Sequence, residues 1–191
     1  SNSGNIRQMS VEETISAVFS FEMGTSVWRR LFHRSVFEEC RFPEGEINEE
    51  YPLLIPLTYL AGGTVFVDKR LYYYRDRSDS VTGTLHKSLK TLECVHKNLN
   101  LIERQISEYG LTAVSGYSLF VAKNSYFMLL SIEKNYETTD ENLKVLYEAY
   151  LKMAKENRNA FLRSKRISLK DKLLYIMLLM GCYRAVYKIF K

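Results

Sequence analysis

Side chains able to do chemistry concentrate in two short stretches of this 191-residue chain. The first is Arg41-Phe42-Pro43-Glu44-Gly45-Glu46-Ile47-Asn48-Glu49-Glu50, which sets four carboxylates within ten positions, two of them adjacent. The second is Leu71-Tyr72-Tyr73-Tyr74-Arg75-Asp76-Arg77, with two arginines behind three tyrosines. Taken by residue type alone, Glu49 and Glu50 are acids at the positive end of a helix, where negative charge is favourable. Arg75 and Arg77 read equally as solvated strand-end side chains or as ligands for phosphate. The tyrosines read as strand packing, with alternate rings facing the core, ahead of an exposed stacking platform. His33, His86 and His96 lack metal-ligand spacing with one another or with any cysteine, so no metal site is expected.

The elements that must position these residues follow from local pattern. Ser10-x-x-Glu13 is a capping-box signature, and Ile15, Val18 and Phe19 behind it give one apolar face, so a short helix is expected over residues 10–20. Met23-Gly24-Thr25 breaks it. Val27 or Trp28, Leu31, Phe32 and Val36 then fit a second short helix, with Trp28 as a core anchor and Arg29, Arg30 and Arg34 near one side. Phe42-Pro43-Glu44-Gly45 is a turn signal, because proline fixes φ and glycine reaches conformations other residues avoid. Asn48 is then placed to cap a helix beginning Glu49-Glu50. Pro52 suits a first turn, but Pro56 would cost an internal hydrogen bond, so this helix should be short or kinked before Ala61-Gly62-Gly63. Thr64–Val67 and Leu71–Tyr74 read as two short strands forming a hairpin, and residues 78–84 as a polar loop.

From Leu85 onward the pattern is helical. Leu85, Leu89, Leu92, Val95, Leu99, Ile102, Ile106 and Tyr109 recur at threes and fours up to Gly110. A segment over residues 112–133 is apolar on more than one face and should be central. Thr138-x-x-Glu141 and Ser168-x-x-Asp171 predict two further capped helices, the last with a break at Gly181. Short connections favour an antiparallel bundle.

Composition narrows the class. Three prolines and nine glycines speak against disorder and against a many-turned β fold. Cys40, Cys94 and Cys182 are scattered and odd in number, which fits a reduced compartment. The net charge of +5 is unevenly spread: from Leu151 onward eleven Lys or Arg face two acids, whereas the preceding residues carry sixteen against twenty. The uncharged run Leu173–Tyr183 is too short to span a bilayer, which takes about 20 apolar residues. With Arg163, Lys165, Arg166, Lys170 and Lys172 before it and Arg184, Lys188 and Lys191 after it, residues 163–191 fit either an anionic membrane surface or a buried bundle helix with a basic side. Nucleic acid is not an expected partner, because the basic residues form no recognised motif.

The ordered set Trp28-x-Arg30-Leu31-Phe32, Phe42-Pro43-Glu44-Gly45, Glu49-Glu50 and Leu71-Tyr72-Tyr73-Tyr74-Arg75 resembles the later half of bacterial family 2 glycosyltransferases. These are the inverting GT-A enzymes of capsular and other surface polysaccharides. The family pattern runs Trp-x-Lys-Leu-Tyr, Phe-Pro-Glu-Gly, Glu-Asp at this spacing, then Tyr-x-Tyr-Arg. The resemblance covers residues 28–80. It implies that Glu50 is the general base toward the acceptor hydroxyl and that Glu49 positions the acceptor or the base. It further implies that Arg75 and Arg77 approach the leaving pyrophosphate, while Arg30 stands where the family has Lys. Glu50 departs from the family's Asp by one methylene. The nucleotide-binding α/β half with its Asp-x-Asp is missing, and Ser1-Asn2-Ser3 looks like an expression scar. A C-terminal piece of a longer enzyme, inactive alone, is therefore expected. Mg or Mn and the nucleotide sugar belong to the parent enzyme, and this piece holds no cofactor.

The expected architecture is mainly α: a small mixed α/β remnant of a GT-A domain containing a short β-hairpin, followed by a helical bundle. Residues 1–9 form a tail, 10–84 the end of the catalytic domain, and 85–191 a helical extension with a basic end. The expected partners are the missing GT-A half, a glycan or lipid-linked acceptor, and an anionic membrane surface. The expected location is cytoplasmic, on the inner face of the membrane. The alternative is a non-catalytic helical interaction or membrane-docking module.

Overall fold

The computed structural model describes residues 5–75, 88–136 and 140–185. The protein is mainly helical, with one small antiparallel sheet of two strands near the N-terminus. Its residues group into two compact units: 1–80 with 97–117, and 81–96 with 118–191.

The first unit opens with strand β1, Ile6–Met9, followed at once by helix α1, Val11–Phe19. The expected capping box is present. Ser10 Oγ accepts from the Glu13 N–H at 3.1 Å, and the Glu13 carboxylate accepts from the Ser10 N–H at 2.7 Å. Ile15, Val18 and Phe19 are buried, as their spacing predicts. The second expected helix is reduced to a single 3-10 turn, Val27–Arg29, and a one-turn helix α2, Val36–Glu39. Leu31 is fully exposed and Trp28 is not in the core. Only Val36 of the expected face is buried, in a small cluster with Cys40, Leu53 and Leu57 that Phe32 and Phe37 cover.

Helix α3 runs Leu54–Leu60, starting beyond the expected Glu49-Glu50. Asn48 is not its cap: it holds a positive φ of 55° and its carbonyl accepts from the Tyr51 N–H at 3.0 Å in a tight turn. The delayed start has a physical reason in Pro56. A helix begun at Glu49 would bury the proline's missing N–H mid-helix, whereas one begun at Leu54 puts it in the first turn, where no donor is needed. The helix ends before Ala61, as expected.

Strand β2, Thr64–Val67, pairs with β1 rather than with Leu71–Tyr74, in the antiparallel register Ile6↔Val67 to Met9↔Thr64. The expected hairpin is therefore replaced by a long-range pair, and residues 71–75 form no strand. Asp68 N–H donating to the Asn5 carbonyl at 3.0 Å carries the ladder one step further. The entry to β2 requires glycine at position 63: φ is +131°, and a Cβ there would stand 2.5 Å from the Met9 carbonyl oxygen. Helix α4, Leu89–Glu108, supplies its last three turns to this unit, and Gly110 at φ 63° closes it.

The second unit contains the first turns of α4 with α5 (Tyr117–Asn135), α6 (Glu141–Glu156), α7 (Arg158–Arg163) and α8 (Leu169–Leu179). As expected, α5 is buried on more than one side, from Leu119 through Tyr126 to Ile132. Three fully buried tyrosines each find a partner for the hydroxyl, without which burial would be costly. Tyr126 donates to Asp171 at 2.8 Å, Tyr150 to the Leu92 carbonyl at 2.5 Å, and Tyr175 to the Ala154 carbonyl at 2.6 Å. Phe161 stacks on Tyr175 with centroids 4.0 Å apart. The Ser168 and Asp171 cap forms as expected, with Ser168 Oγ accepting from the Asp171 N–H at 3.1 Å and donating to the Asp171 carboxylate at 2.6 Å. Helix α6 is capped by Asp140 instead of Thr138, which lies outside the described residues. No sequence signal pointed to α7.

Candidate functional site

The acidic stretch forms an irregular turn between α2 and α3. Gly45 adopts φ 71° and Asn48 φ 55°, both in the left-handed region. Side chains of α4 reach this segment. Lys97 Nζ pairs with the Glu46 carboxylate. Asn98 Nδ2 donates to the Asn48 carbonyl at 3.4 Å, and Gln105 Nε2 donates to the Pro52 carbonyl at 2.9 Å. Asn98 and Gln105 are seven residues, about two helical turns, apart and so share one face of α4 with Val95, Leu99 and Ile102. Both are buried, and their amide oxygens have no hydrogen-bond partner among the described residues.

This attachment fixes the segment that carries Glu49 and Glu50. Glu49 is exposed and Glu50 half-buried. Burial pushes the Glu50 carboxyl above the ordinary glutamate value; its own backbone N–H acts in the opposite sense, and the Glu49 charge adds to the rise. Burial also raises the neighbouring Tyr51 phenol, with the Glu50 charge adding to it. Glu50 is thus not held ionised by the donors of a helix start, as its expected position would have given. It is instead a carboxyl made more basic by partial withdrawal from water.

The expected arginines are placed separately. Arg30 is half-buried and donates from Nη2 to the Gly24 carbonyl at 2.9 Å; its pKa is lowered by burial. Arg75 is exposed, and Arg77 lies outside the described residues. Among the described residues no hydrogen bond or ion pair joins Arg30 or Arg75 to Glu49 or Glu50. No three His, Cys, Asp or Glu side chains among the described residues converge to hold a metal ion.

The tyrosine run corrects the expected strand packing. Tyr72, Tyr73 and Tyr74 are all exposed, and Trp28 joins them instead of the core. The Trp28 indole lies 4.6 Å from the Tyr72 ring and 5.1 Å from the Tyr74 ring, nearly parallel to the latter, and the Arg29 guanidinium sits 4.6 Å over the indole. Two features were missed in the sequence: this surface aromatic cluster and the hold of α4 on the acidic turn. A signal for the second was present, because Asn98 and Gln105 are polar residues on an otherwise apolar stripe.

Comparison of the chain with protein-family models, with curated proteins and with solved structures returns no match.

Proposed function

We propose that the chain is the C-terminal part of a nucleotide-sugar-dependent, inverting glycosyltransferase of the family 2, GT-A type, working in surface-polysaccharide synthesis. The observation that carries this reading is the ordered set Trp28-x-Arg30-Leu31-Phe32, Phe42-Pro43-Glu44-Gly45, Glu49-Glu50 and Leu71-Tyr72-Tyr73-Tyr74-Arg75; Glu50 stands half-buried on a turn tied to α4, and burial raises its pKa. In the reaction an acceptor hydroxyl on a glycan or lipid-linked glycan attacks the anomeric carbon of the donor. Its proton passes to the Glu50 carboxylate, the bond from the sugar to the nucleotide phosphate breaks, and the nucleoside diphosphate leaves. A base whose pKa lies nearer the working pH takes up that proton more effectively. Glu49 positions the acceptor or the base. Arg75 and Arg77 are assigned to the charge that develops on the leaving pyrophosphate, and Arg30, which stands where the family has Lys, to substrate binding.

The donor nucleotide and a Mg or Mn ion belong, in this proposal, to the α/β half of the parent enzyme, and no step is drawn through the metal. A nucleotide-sugar donor sets the reaction on the cytoplasmic side. The chain by itself then transfers no sugar. Incubation with a panel of radiolabelled nucleotide sugars and mixed glycan acceptors should leave all label in the donor, or in free sugar at the background rate. Label incorporated into acceptor by the chain alone would contradict the division of labour proposed here.

A further inference from the structure

Helix α8 carries an apolar row on the side turned away from its own unit. At about 100° per residue, Leu169, Leu173, Ile176 and Met180, at α8 and its C-terminal cap, fall within an arc of roughly 60°. Their exposures are 73%, 54%, 38% and 73%, whereas Tyr175 and Leu178 on the opposite side are fully buried. Burial within the unit therefore explains one face of α8 and not the other. An exposed apolar row on one helix is unlike the scattered surface leucines that need no explanation.

The charges around the row have a definite sign. Lys170 and Lys172 stand on either side of the apolar arc, and Arg163, Lys165 and Arg166 immediately precede the helix. The acid on α8, Asp171, is engaged elsewhere: it accepts from the Tyr126 hydroxyl at 2.8 Å and from Ser168 Oγ at 2.6 Å. Lysines edging an apolar helix face can lay their methylene stems along it while the ammonium groups reach outward. The helix has eleven residues, and no helix among the described residues is long and apolar enough to cross a membrane.

We infer that this face of α8 docks in the interface of an anionic lipid surface, with Leu169, Leu173, Ile176 and Met180 entering the headgroup boundary and Lys170 and Lys172 lying against acidic headgroups. The apolar row supplies partition and the flanking lysines supply selectivity for anionic lipid. The inference rests on the exposure pattern of α8 and stands whether or not the chain belongs to a glycosyltransferase. The helix lies on the surface and does not span it.

Vesicle flotation tests this with the chain as it is. The wild-type chain should float with vesicles of equal phosphatidylcholine and phosphatidylserine, and weakly with phosphatidylcholine alone. Leu173→Gln with Met180→Gln alters only exposed positions, so circular dichroism and melting should be unchanged, while partition falls on the order of tenfold or more. Lys170→Glu with Lys172→Glu should reduce binding to the anionic vesicles by at least about fivefold per lysine and leave the weak neutral binding in place. Equal flotation by the wild type and the glutamine variant would overturn the proposal, as would no preference for phosphatidylserine. A wild-type dimer in sedimentation velocity that the glutamine variant abolishes, without flotation by either, would assign the face to a second copy and also overturn it.

Discussion

The hold of α4 on the acidic turn can be tested at one hydrogen bond. Pro56 lacks an N–H, so the Pro52 carbonyl, four residues earlier, has no helical donor, and Gln105 Nε2 at 2.9 Å takes that role. Gln105→Met keeps the volume and removes the donor. The part-buried carbonyl then loses its partner at a cost of about 1–3 kcal/mol. Against this, the buried Gln105 Oε1 has no partner, so its removal returns part of that amount. A net loss of about 1–2 kcal/mol is expected. Pro56→Ala restores an N–H at the i+4 position, within reach of the Pro52 carbonyl because Leu57 N–H already bonds the Leu53 carbonyl at 2.9 Å. The two substitutions should therefore couple: Gln105→Met should cost less in the Pro56→Ala background, by about 1 kcal/mol. Urea unfolding of the wild type, both single variants and the double variant gives the cycle. Additivity within about 0.5 kcal/mol, or a neutral Gln105→Met, would refute the reasoning.

Three further outcomes follow from the same structure. Because the Glu50 carboxyl is raised by burial, the folded state binds its proton more tightly than the unfolded state does. Its contribution to stability is thus fully present below the ordinary glutamate pKa and is lost as pH rises through the raised folded value; Glu50→Gln should remove this slope in urea titrations across mildly acidic pH, and an unchanged slope would contradict it. Gly63→Ala should destabilise by more than about 1 kcal/mol and speed amide exchange in β1 and β2, since φ is +131° and the new Cβ meets the Met9 carbonyl. Tyr175→Phe should cost about 1 kcal/mol by leaving the buried Ala154 carbonyl without its side-chain donor, read as a fall in melting temperature.

The parts of the fold legible in the sequence are those decided within a few residues. The Ser10/Glu13 and Ser168/Asp171 caps, the glycine stop at Gly110 and the buried centre of the α4 stripe (Leu92, Val95, Leu99 and Ile102) are short-range patterns, and each formed as its residues dictate; Leu85, where that stripe was expected to begin, lies outside the described residues. The failures are contacts made over long distances along the chain. Thr64–Val67 reads as a strand, but nothing local says that its partner is Ile6–Met9 and not the equally β-prone Leu71–Tyr74. The tyrosines were expected to alternate into a core that a strand would face; without the strand, Tyr72 and Tyr74 collect on Trp28 at the surface. The late start of α3 is half visible in the sequence: Pro56 marks the conflict, but its resolution depends on Gln105, which reaches the turn from α4. In the same way, Glu50 could be singled out from its neighbours, while its raised basicity comes from burial by the folded chain.

The central proposal is that Glu50 takes the acceptor proton in the proposed parent glycosyltransferase. The most direct measurement is the rate of sugar transfer by the complete protein and by its Glu50→Gln form, with folding of both verified by circular dichroism. The account predicts loss of transfer by on the order of a hundredfold or more with donor binding retained, as removal of a general base entails. Transfer at the wild-type rate by the glutamine form would contradict it.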